Sequence, residues 1–140
     1  MERTFVLLKP SAVTRRLVGE IIRRIESYGL SVCALKMIRA DPERHIARLY
    51  EMHKGKPFYK DLVAHLTSGP IVPMVVEGEN AVERMRRLVG ATEPSKAEVG
   101  TIRRDYGISV TMNVIHAADS SESAEREIKI FFENDEIMKY

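Results

Sequence analysis

A chain of 140 residues, 44% hydrophobic and 30% charged, can bury the core of one compact domain, so we expect residues 1–140 to form a single domain. Its 22 basic and 20 acidic side chains give a formal net charge of +2, which argues against a nucleic-acid binder that relies on gross positive charge. The single cysteine excludes an internal disulfide, and no apolar stretch approaches the roughly 20 residues that cross a bilayer, which predicts a cytoplasmic protein without membrane contact.

The first part of the chain has the pattern strand, helix, strand. Residues 4–8 form a continuous apolar run, which is typical of a strand buried on both faces, and Pro10 ends it. Apolar residues then recur at helical spacing over residues 17–25, and Gly29 suits the left-handed cap that ends such a helix. Residues 30–38 are predicted to form the second strand.

The middle of the chain predicts two helices and a third strand. Asp41 and Pro42 give a clear helix start, and a further short helix is expected over residues 59–66. Residues 71–76 have the composition of a strand. Proline cannot donate to a sheet ladder, so Pro73 predicts an edge position or a bulge for that strand.

The last third contains a helix, a long loop, a short strand and a final helix. Asn80 can cap a helix that ends at Gly90, whereas residues 91–112 lack a clear period. Loops of this length inside compact domains are usually functional. Residues 113–116 are predicted to form a brief strand, and the D-x-x-E spacing of residues 119–122 is typical of a capping box that opens a helix.

This order of elements, βαββαβ, predicts an α+β fold of the ferredoxin-like type, with an antiparallel sheet covered by helices. The sequence contains neither the G-x-x-x-x-G-K-[ST] nor the G-x-G-x-x-G phosphate-binding motif. It also lacks the H-E-x-x-H and C-x-x-C patterns of metal sites. Any site for an anion must therefore be built by local clustering of cations.

Among the four histidines, His116 stands out because it ends an apolar strand three residues before a predicted helix cap. A strand end that faces a helix N-terminus favours an anion. His45, His53 and His65 have charged or mixed neighbours and are expected to be solvated surface groups. On these grounds alone, a core histidine bonded to backbone remains as good an interpretation of His116 as a catalytic one.

Four cations are candidates for binding phosphate, namely Lys9, Arg86, Arg103 and Arg104. Lys9 closes the first strand, so its side chain is expected at an end of the sheet. Arg86 and Arg87 are adjacent on a predicted helix and point in different directions, so at most one of them faces any given site. Each signal is weak by itself, since charged residues on helices usually face solvent.

Several longer motifs in the sequence resemble those of a known family. Residues 113–120 (NVIHAADS), followed by residues 123–128 (SAEREI), resemble the N-[IV]-I-H-[GA]-S-D-S … S-A-E-x-E-I signature of nucleoside diphosphate kinases. The similarity continues, in the order of the family, through residues 2–5, 9–10, 17–22, 56–58, 68–70 and 100–103.

The resemblance implies a nucleoside diphosphate kinase, which moves the γ-phosphate from a nucleoside triphosphate to a nucleoside diphosphate in a ping-pong reaction. His116 would be the nucleophile that forms a phosphohistidine, and Glu127 would orient its imidazole. The other implied contacts are the catalytic Lys9 and Tyr50, the ribose contacts of Lys9 and Asn113, the phosphate contacts of Arg86, Thr92 and Arg103, and a base sandwich between Phe58 and Val110.

The resemblance also implies a cofactor and partners. Mg²⁺ would be carried by the nucleotide phosphates and would reach Asp119 only through water. The ligands would be ribo- and deoxyribonucleoside di- and triphosphates, including ATP, GTP, CTP and UTP, and no nucleic acid is required. Copies of this chain would form a homo-oligomer, with a hexamer favoured over a tetramer because residues 135–140 resemble the tail of hexameric members.

Several positions depart from the usual family pattern. They are Ser11 for aspartate, Glu93 for asparagine, Arg104 for glycine, Thr111-Met112 for a Gly-Arg pair and Ala118 for serine. Ala118 removes a hydroxyl near the histidine, and this keeps open an alternative function, a regulatory protein that binds nucleotides without transferring phosphate. A third alternative, a ferredoxin-like nucleic-acid binder, is disfavoured because the predicted strands lack paired aromatic residues.

Overall fold

The computed structural model describes residues 1–140 and is centred on an antiparallel sheet. Its strands are β1 (Glu2–Leu8), β2 (Ser31–Leu35), β3 (Ile38–Arg39), β4 (Pro70–Gly78) and β5 (Ile115–Ala117). The order across the sheet is β2-β4-β1-β5, every neighbouring pair is antiparallel, and the two-residue β3 pairs with the start of β4. This is the order of a βαββαβ ferredoxin-like sheet, so the predicted fold class is confirmed.

Seven α-helices connect and cover the strands. They are α1 (Pro10–Thr14), α2 (Val18–Ser27), α3 (Ala47–Leu49), α4 (Tyr59–Leu66), α5 (Ala81–Val89), α6 (Ile102–Tyr106) and α7 (Ser121–Phe131). A π-helical segment, Pro42–Ile46, leads into α3, and short 3₁₀ turns occupy Glu51–His53, Pro94–Lys96 and Asn134–Glu136. None of these helices is long and apolar enough to cross a membrane.

Strand β1 lies between two apolar cores, as its unbroken apolar sequence predicts. Phe5 and Leu7 belong to one core, with residues of α4 and α7, whereas Val6 and Leu8 belong to the other, with residues of α2 and α5. All four side chains are fully buried. Because the strand is fixed from both faces, the residue that follows it, Lys9, is held in a defined place.

The prediction that Pro73 marks an edge strand or a bulge is wrong, because β4 lies inside the sheet. The Pro73 carbonyl accepts the Lys36 N–H at 3.3 Å, and in an antiparallel ladder the N–H and C=O of one residue point the same way. The missing N–H therefore faces the gap where β2 has ended, at Leu35, and β3 has not begun. The bulge of this sheet lies in β2, beside Cys33.

Two predicted helix caps are also wrong. Asn80 has a left-handed backbone with φ 50° and makes no cap bond, and instead the Glu2 carboxylate accepts the Val82 N–H of α5 at 2.9 Å. The cap of α7 is Ser120, whose Oγ accepts the N–H three residues later at 3.1 Å, in place of Asp119. Glu2 also accepts a hydrogen bond from the first residue of α7, so one carboxylate ties β1 to both helices.

The stretch over residues 91–112 is less irregular than the sequence suggests. It contains α6, whose N-cap is Thr101, and Oγ1 of Thr101 accepts the Arg104 N–H at 3.3 Å. Arg104 is helical, so the replacement of glycine demands no special backbone there. Its guanidinium instead donates to the carbonyls of Ser95 at 3.0 Å and Ala97 at 3.3 Å, and these bonds tie the loop to α6.

Candidate active site

A cleft of about 400 Å³ lies where the end of β1, β5, α7 and residues 49–62 meet. Arg104, one of the four candidate cations, lies outside this cleft, but the cleft brings together every residue to which the family resemblance gave a role. These are Lys9, Tyr50, Phe58, Arg86, Thr92, Arg103, Val110, Asn113, His116, Asp119 and Glu127. They come from α5, α6, β5, α7 and the connecting segments between elements, so their convergence is a property of the fold.

The chain turns sharply just before His116. Val114 has φ 68°, which is a rare left-handed conformation for a β-branched residue and typically costs about 1–3 kcal/mol. Its carbonyl accepts the Lys9 N–H at 2.8 Å, so the turn is joined to the end of β1. As a result β5 begins at Ile115, two residues later than predicted, and Asn113 lies outside the strand but inside the cleft.

His116 is held by a single side-chain hydrogen bond. Its Nε2 lies 2.6 Å from Oε1 of Glu127, and the two side chains are 17% and 5% exposed. An ionised carboxylate only accepts, so Nε2 carries the hydrogen and Nδ1 keeps a free lone pair. The ring makes no bond to backbone, which argues against the structural interpretation of His116. The arrangement is that of a nucleophile oriented by a carboxylate.

Lys9 is a buried cation without a counter-ion. The residue is 4% exposed, and its Nζ donates to Asn113 Oδ1 at 2.7 Å and, at 3.5 Å, to the carbonyl of Thr111. Burial, with a smaller contribution from the charge of Arg103, lowers the pKa of Lys9 to about 7. An unpaired buried charge is costly, so an anion in the cleft is expected to stabilise this lysine.

Two arginines, Arg86 and Arg103, line the same cleft as His116. Arg103 is buried and donates to the carbonyls of Gly90 at 3.0 Å and Ile115 at 2.8 Å, while burial, with the charge of Arg86, lowers its pKa to about 10. Arg86 donates to the carbonyl of Ala117 at 3.4 Å. Neither arginine forms a salt bridge with a carboxylate, so both positive charges are available to phosphate.

Unpaired polar atoms point to a polar ligand. Four buried side-chain atoms have no hydrogen-bond partner, and three of them belong to residues of the cleft: Tyr50 Oη, His53 Nδ1 and Arg103 Nε. Leaving such groups unsatisfied costs about 1–3 kcal/mol each. Burial, and next the charge of Glu127, raises the pKa of the Tyr50 hydroxyl, so it remains a hydrogen-bond donor.

The structure adds His53 to the site and corrects the prediction that it is a solvated surface group. Its ring is half-buried between those of Tyr50 and Phe58, with centroid distances of 5.9 and 5.2 Å. Burial, with nearby positive charge, lowers the pKa of His53, which favours the neutral ring, and its buried Nδ1 has no hydrogen-bond partner. His45 and His65 are half-buried too, outside the cleft, so the expectation of exposed rings fails for all three.

The opposite end of the cleft is apolar and open. Phe58 is 40% exposed and Val110 is 47% exposed, and Met52 lies beside them. Asp119 and Glu127 are the only carboxylates that line the cleft, and Glu127 is bonded to His116. No group of three or more His, Cys, Asp or Glu side chains is placed to hold a metal ion, so the protein itself presents no metal cage.

Ala118, the departure that favours a nucleotide sensor, lies outside the cleft. Its methyl group is fully buried in the core that contains Phe5, and its N–H donates to the Phe5 carbonyl at 3.1 Å. Ser11 is also buried and lies 3.3 Å from Nε2 of His65. Neither replacement removes a side chain that lines the cleft.

Comparisons with known proteins agree with this geometry. Residues 2–137 match the family model described as nucleoside diphosphate kinase. The chain is 57% identical over 139 residues to the nucleoside diphosphate kinase of Ignicoccus hospitalis, covering 99% of this chain and 94% of the relative. It is 54% identical over 136 residues to that of Methanocaldococcus jannaschii, covering 97% and 96% of the two chains.

Two solved structures are similar over nearly the whole fold. A halophilic nucleoside diphosphate kinase from Halobacterium salinarum, in complex with CDP, superposes with a TM-score of 0.95 at 43% identity, covering 99% of this chain and 92% of that chain. The nucleoside diphosphate kinase of Aquifex aeolicus gives a TM-score of 0.93 at 38% identity, covering 98% and 99%.

Proposed function

Since this chain belongs to the nucleoside diphosphate kinase family, we propose that it transfers the γ-phosphate in two half-reactions through a phosphohistidine on His116. The observation that carries the proposal is the 2.6 Å bond between His116 Nε2 and Glu127, which leaves Nδ1 as the free nucleophilic nitrogen. In the first half-reaction Nδ1 attacks the γ-phosphorus, the bond to the bridging β-phosphate oxygen breaks, and the diphosphate leaves. An acceptor diphosphate then attacks the same phosphorus and the N–P bond breaks.

The cations of the cleft stabilise the transferred group. Phosphoryl transfer depends mainly on in-line positioning and on positive charge near the equatorial oxygens. Lys9, Arg86 and Arg103 supply that charge without any carboxylate to neutralise them, and the hydroxyl of Tyr50 supplies a hydrogen-bond donor. His53 adds a neutral imidazole with a free nitrogen, so we propose it as a further phosphate contact.

We propose that the polar residues of the cleft bind ribose and phosphate and that its apolar residues bind the base. Lys9 and Asn113, which are bonded to each other at 2.7 Å, bind the ribose 3′-hydroxyl, and Thr92 contacts phosphate. Phe58 and Val110 hold the two faces of the base without reading its polar edge. The relative from Halobacterium salinarum was solved with CDP, and the open apolar rim of this chain suits any of the four bases.

The donor set of the cleft fits Mg²⁺ carried on nucleotide phosphates. Asp119 is exposed at the cleft and is the one lining carboxylate that is not already bonded to a side chain, which supports the proposal that it would reach the ion through water. A bound Mg²⁺ neutralises charge on the phosphate oxygens. The protein residues orient the nucleotide around it, since they form no metal cage of their own.

We also propose a single-domain cytoplasmic enzyme that assembles as a homo-oligomer, with a hexamer favoured over a tetramer. The support for the hexamer is the likeness of residues 135–140 to the tail of hexameric members. Sedimentation velocity at micromolar concentration tests the assembly. A monomer would contradict the oligomer, and a tetramer would contradict the hexamer.

Chemical labelling tests the reaction. Incubation with [γ-³²P]ATP and Mg²⁺, followed by denaturation, should leave phosphate on the protein that is labile to acid and stable to alkali. His116→Asn, which keeps a polar side chain, should leave none, and Asp135→Asn is an exposed control that should label normally. A wild-type protein that binds ADP yet carries no label would instead support the nucleotide sensor.

A further inference from the structure

Arg126 lines the cleft beside Glu127, yet the reaction proposed above assigns it no task. We propose that Arg126 is a positioning residue. It holds the carboxylate of Glu127 against His116 and ties α7 to the helix that precedes Tyr50. The inference rests on the proposed function, because the orientation of His116 matters only if that ring accepts the phosphoryl group.

The first contact is made to the carboxylate itself. Oε1 of Glu127 lies 2.6 Å from His116 Nε2, while Oε2 lies 3.5 Å from Nη2 of Arg126. Arg126 is the only arginine or lysine within 4.0 Å of this carboxylate. The Glu127 side chain is 5% exposed, so its charge is poorly screened by solvent. The two oxygens are therefore directed to different partners, and rotation of the carboxylate would disturb both.

The second contact reaches the opposite wall. Nη1 of Arg126 donates to the carbonyl of Arg48, in the middle of α3, at 2.8 Å. Tyr50 follows two residues later, and its ring packs edge-on against that of His116 with a centroid distance of 5.4 Å. A single guanidinium thus links the residue that orients the histidine to the backbone that carries the tyrosine.

The planar guanidinium is suited to this task because its donors have fixed directions. The Arg126 side chain is 40% exposed, so the ion pair itself adds little to stability. Its expected effect is on geometry, since a nucleophile that is slightly misplaced reacts slowly. Nη1 and Nη2 are committed to Arg48 and Glu127, so nucleotide affinity should depend little on Arg126.

The test compares Arg126→Met and Arg126→Lys with Lys129→Met, which removes an exposed charge from the same helix outside the cleft. Single-turnover formation of phosphohistidine should slow about tenfold in Arg126→Met, since displacement of a reacting group by about 1 Å can cost roughly 100-fold and a smaller displacement is expected here. The Kd for ADP should stay within about twofold. Arg126→Lys should recover most of the rate, and Lys129→Met should match wild type.

A double variant identifies the partner. If Arg126 acts through Glu127, then Arg126→Met should slow the Glu127→Gln protein far less than it slows wild type. A full tenfold loss in the Glu127→Gln background would overturn the proposal, and so would a loss of ADP affinity with an unchanged rate. The latter would make Arg126 a nucleotide contact.

A measurement without turnover separates this proposal from the reaction. In ¹⁵N NMR of the folded proteins, wild type and Lys129→Met should show His116 as one tautomer with the hydrogen on Nε2. Arg126→Met should show faster exchange of that hydrogen. If wild type forms no phosphohistidine, the proposed function fails, and the NMR result still decides whether Arg126 holds the ring. An identical signal in Arg126→Met and wild type would contradict the positioning role.

Discussion

The two ends of the cleft are built in opposite ways. At the end that we propose binds phosphate and ribose, here called the phosphate end, Lys9, Arg103 and Asn113 are buried and joined by hydrogen bonds to backbone or to each other, and the chain is strained at Val114. At the end that we propose holds the base, here called the base end, Phe58 is 40% exposed and lies on a segment of short turns between Tyr50 and α4. One end is fixed and polar, whereas the other is open and apolar.

This difference indicates where recognition lies. The phosphate end presents fixed charges and unpaired polar atoms, so a ligand with phosphate and ribose groups relieves their desolvation. The base end offers surface but no polar contact to a base edge, so it adds affinity without strong selection. We therefore expect substitutions at the phosphate end to change reaction and pH dependence, and substitutions at the base end to change affinity alone.

The largest expected effect is that of His116→Ala. His116 is the only histidine of the cleft that a carboxylate orients, so turnover should fall by at least roughly 10³-fold without it. ADP affinity and melting temperature should change little, because the cations remain and the ring bonds only to Glu127. Turnover, calorimetric affinity and melting of one preparation check this. Normal turnover would contradict the assignment of His116 as the nucleophile. Loss of both folding and ADP binding would show that His116 has a structural role.

The second prediction concerns Lys9 and pH. Its pKa is about 7 without ligand, and phosphate favours the charged form, so binding of ADP takes up a proton above that pH. ADP affinity should therefore fall as pH rises from 7 to 9, by at most about tenfold per pH unit. Lys9→Met should bind ADP more weakly and lose most of this slope. Calorimetry of ADP binding at several pH values checks this. An equal pH dependence of the affinity in both proteins would show that a group other than Lys9 takes up the proton.

The same lysine should affect stability without ligand. Its folded pKa of about 7 lies below its ordinary value of 10.5, so the unfolded chain binds more protons between these pH values. The contribution of Lys9 to the free energy of unfolding therefore rises with pH over this window. Denaturant unfolding at pH 7 and 9 should show a larger gain for wild type than for Lys9→Met. A larger gain in the variant would contradict the burial of a charged lysine.

A smaller effect is expected at the base end. Stacking of a base on an aromatic ring is worth about 1–3 kcal/mol, and for a half-exposed ring we expect the lower end of this range. Phe58→Ala should weaken binding of ADP about fivefold, and the rate of phosphoryl transfer at saturation should be unchanged. Phe58→Leu, which keeps an apolar surface, is the matched control. A large loss of saturated rate would show that the two ends are coupled.

The smallest expected effect is the difference in kcat/KM between nucleotides with different bases. Contacts that are only apolar discriminate by roughly 10- to 200-fold, whereas hydrogen bonds to a base edge reach about 10⁴-fold. The kcat/KM values for ATP, GTP, CTP and UTP should therefore lie within about 200-fold of one another. A wider spread would require a polar contact to the base edge in addition to the apolar contacts of Phe58 and Val110.

Local patterns in the sequence were enough for much of the fold. Continuous apolar runs predicted strands, and apolar residues at helical spacing predicted the longer helices. Asp41 caps the turn that begins at Pro42, and this cap is specified by neighbouring residues. The site residues came from the family motifs, because the motifs occur in order although the residues meet only after folding.

Two of the errors concern interactions between distant parts of the chain, and others are local. Glu2 caps a helix 80 residues away, so the pattern around Asn80 could not reveal it. Pro73 is tolerated inside the sheet because the neighbouring strand is interrupted at that point. His53 was missed because the adjacent Lys54 suggested a solvated position, whereas the ring packs against those of Tyr50 and Phe58, three and five residues away.

The central claim is that Glu127 holds one nitrogen of His116 and leaves the other to react. It is tested most directly by finding which nitrogen carries the phosphate. Protein labelled with ¹⁵N-histidine and phosphorylated by ATP should show ³¹P–¹⁵N coupling to Nδ1 of His116, because Nε2 remains bonded to Glu127. Coupling to Nε2, or phosphate on a different residue, would contradict the account.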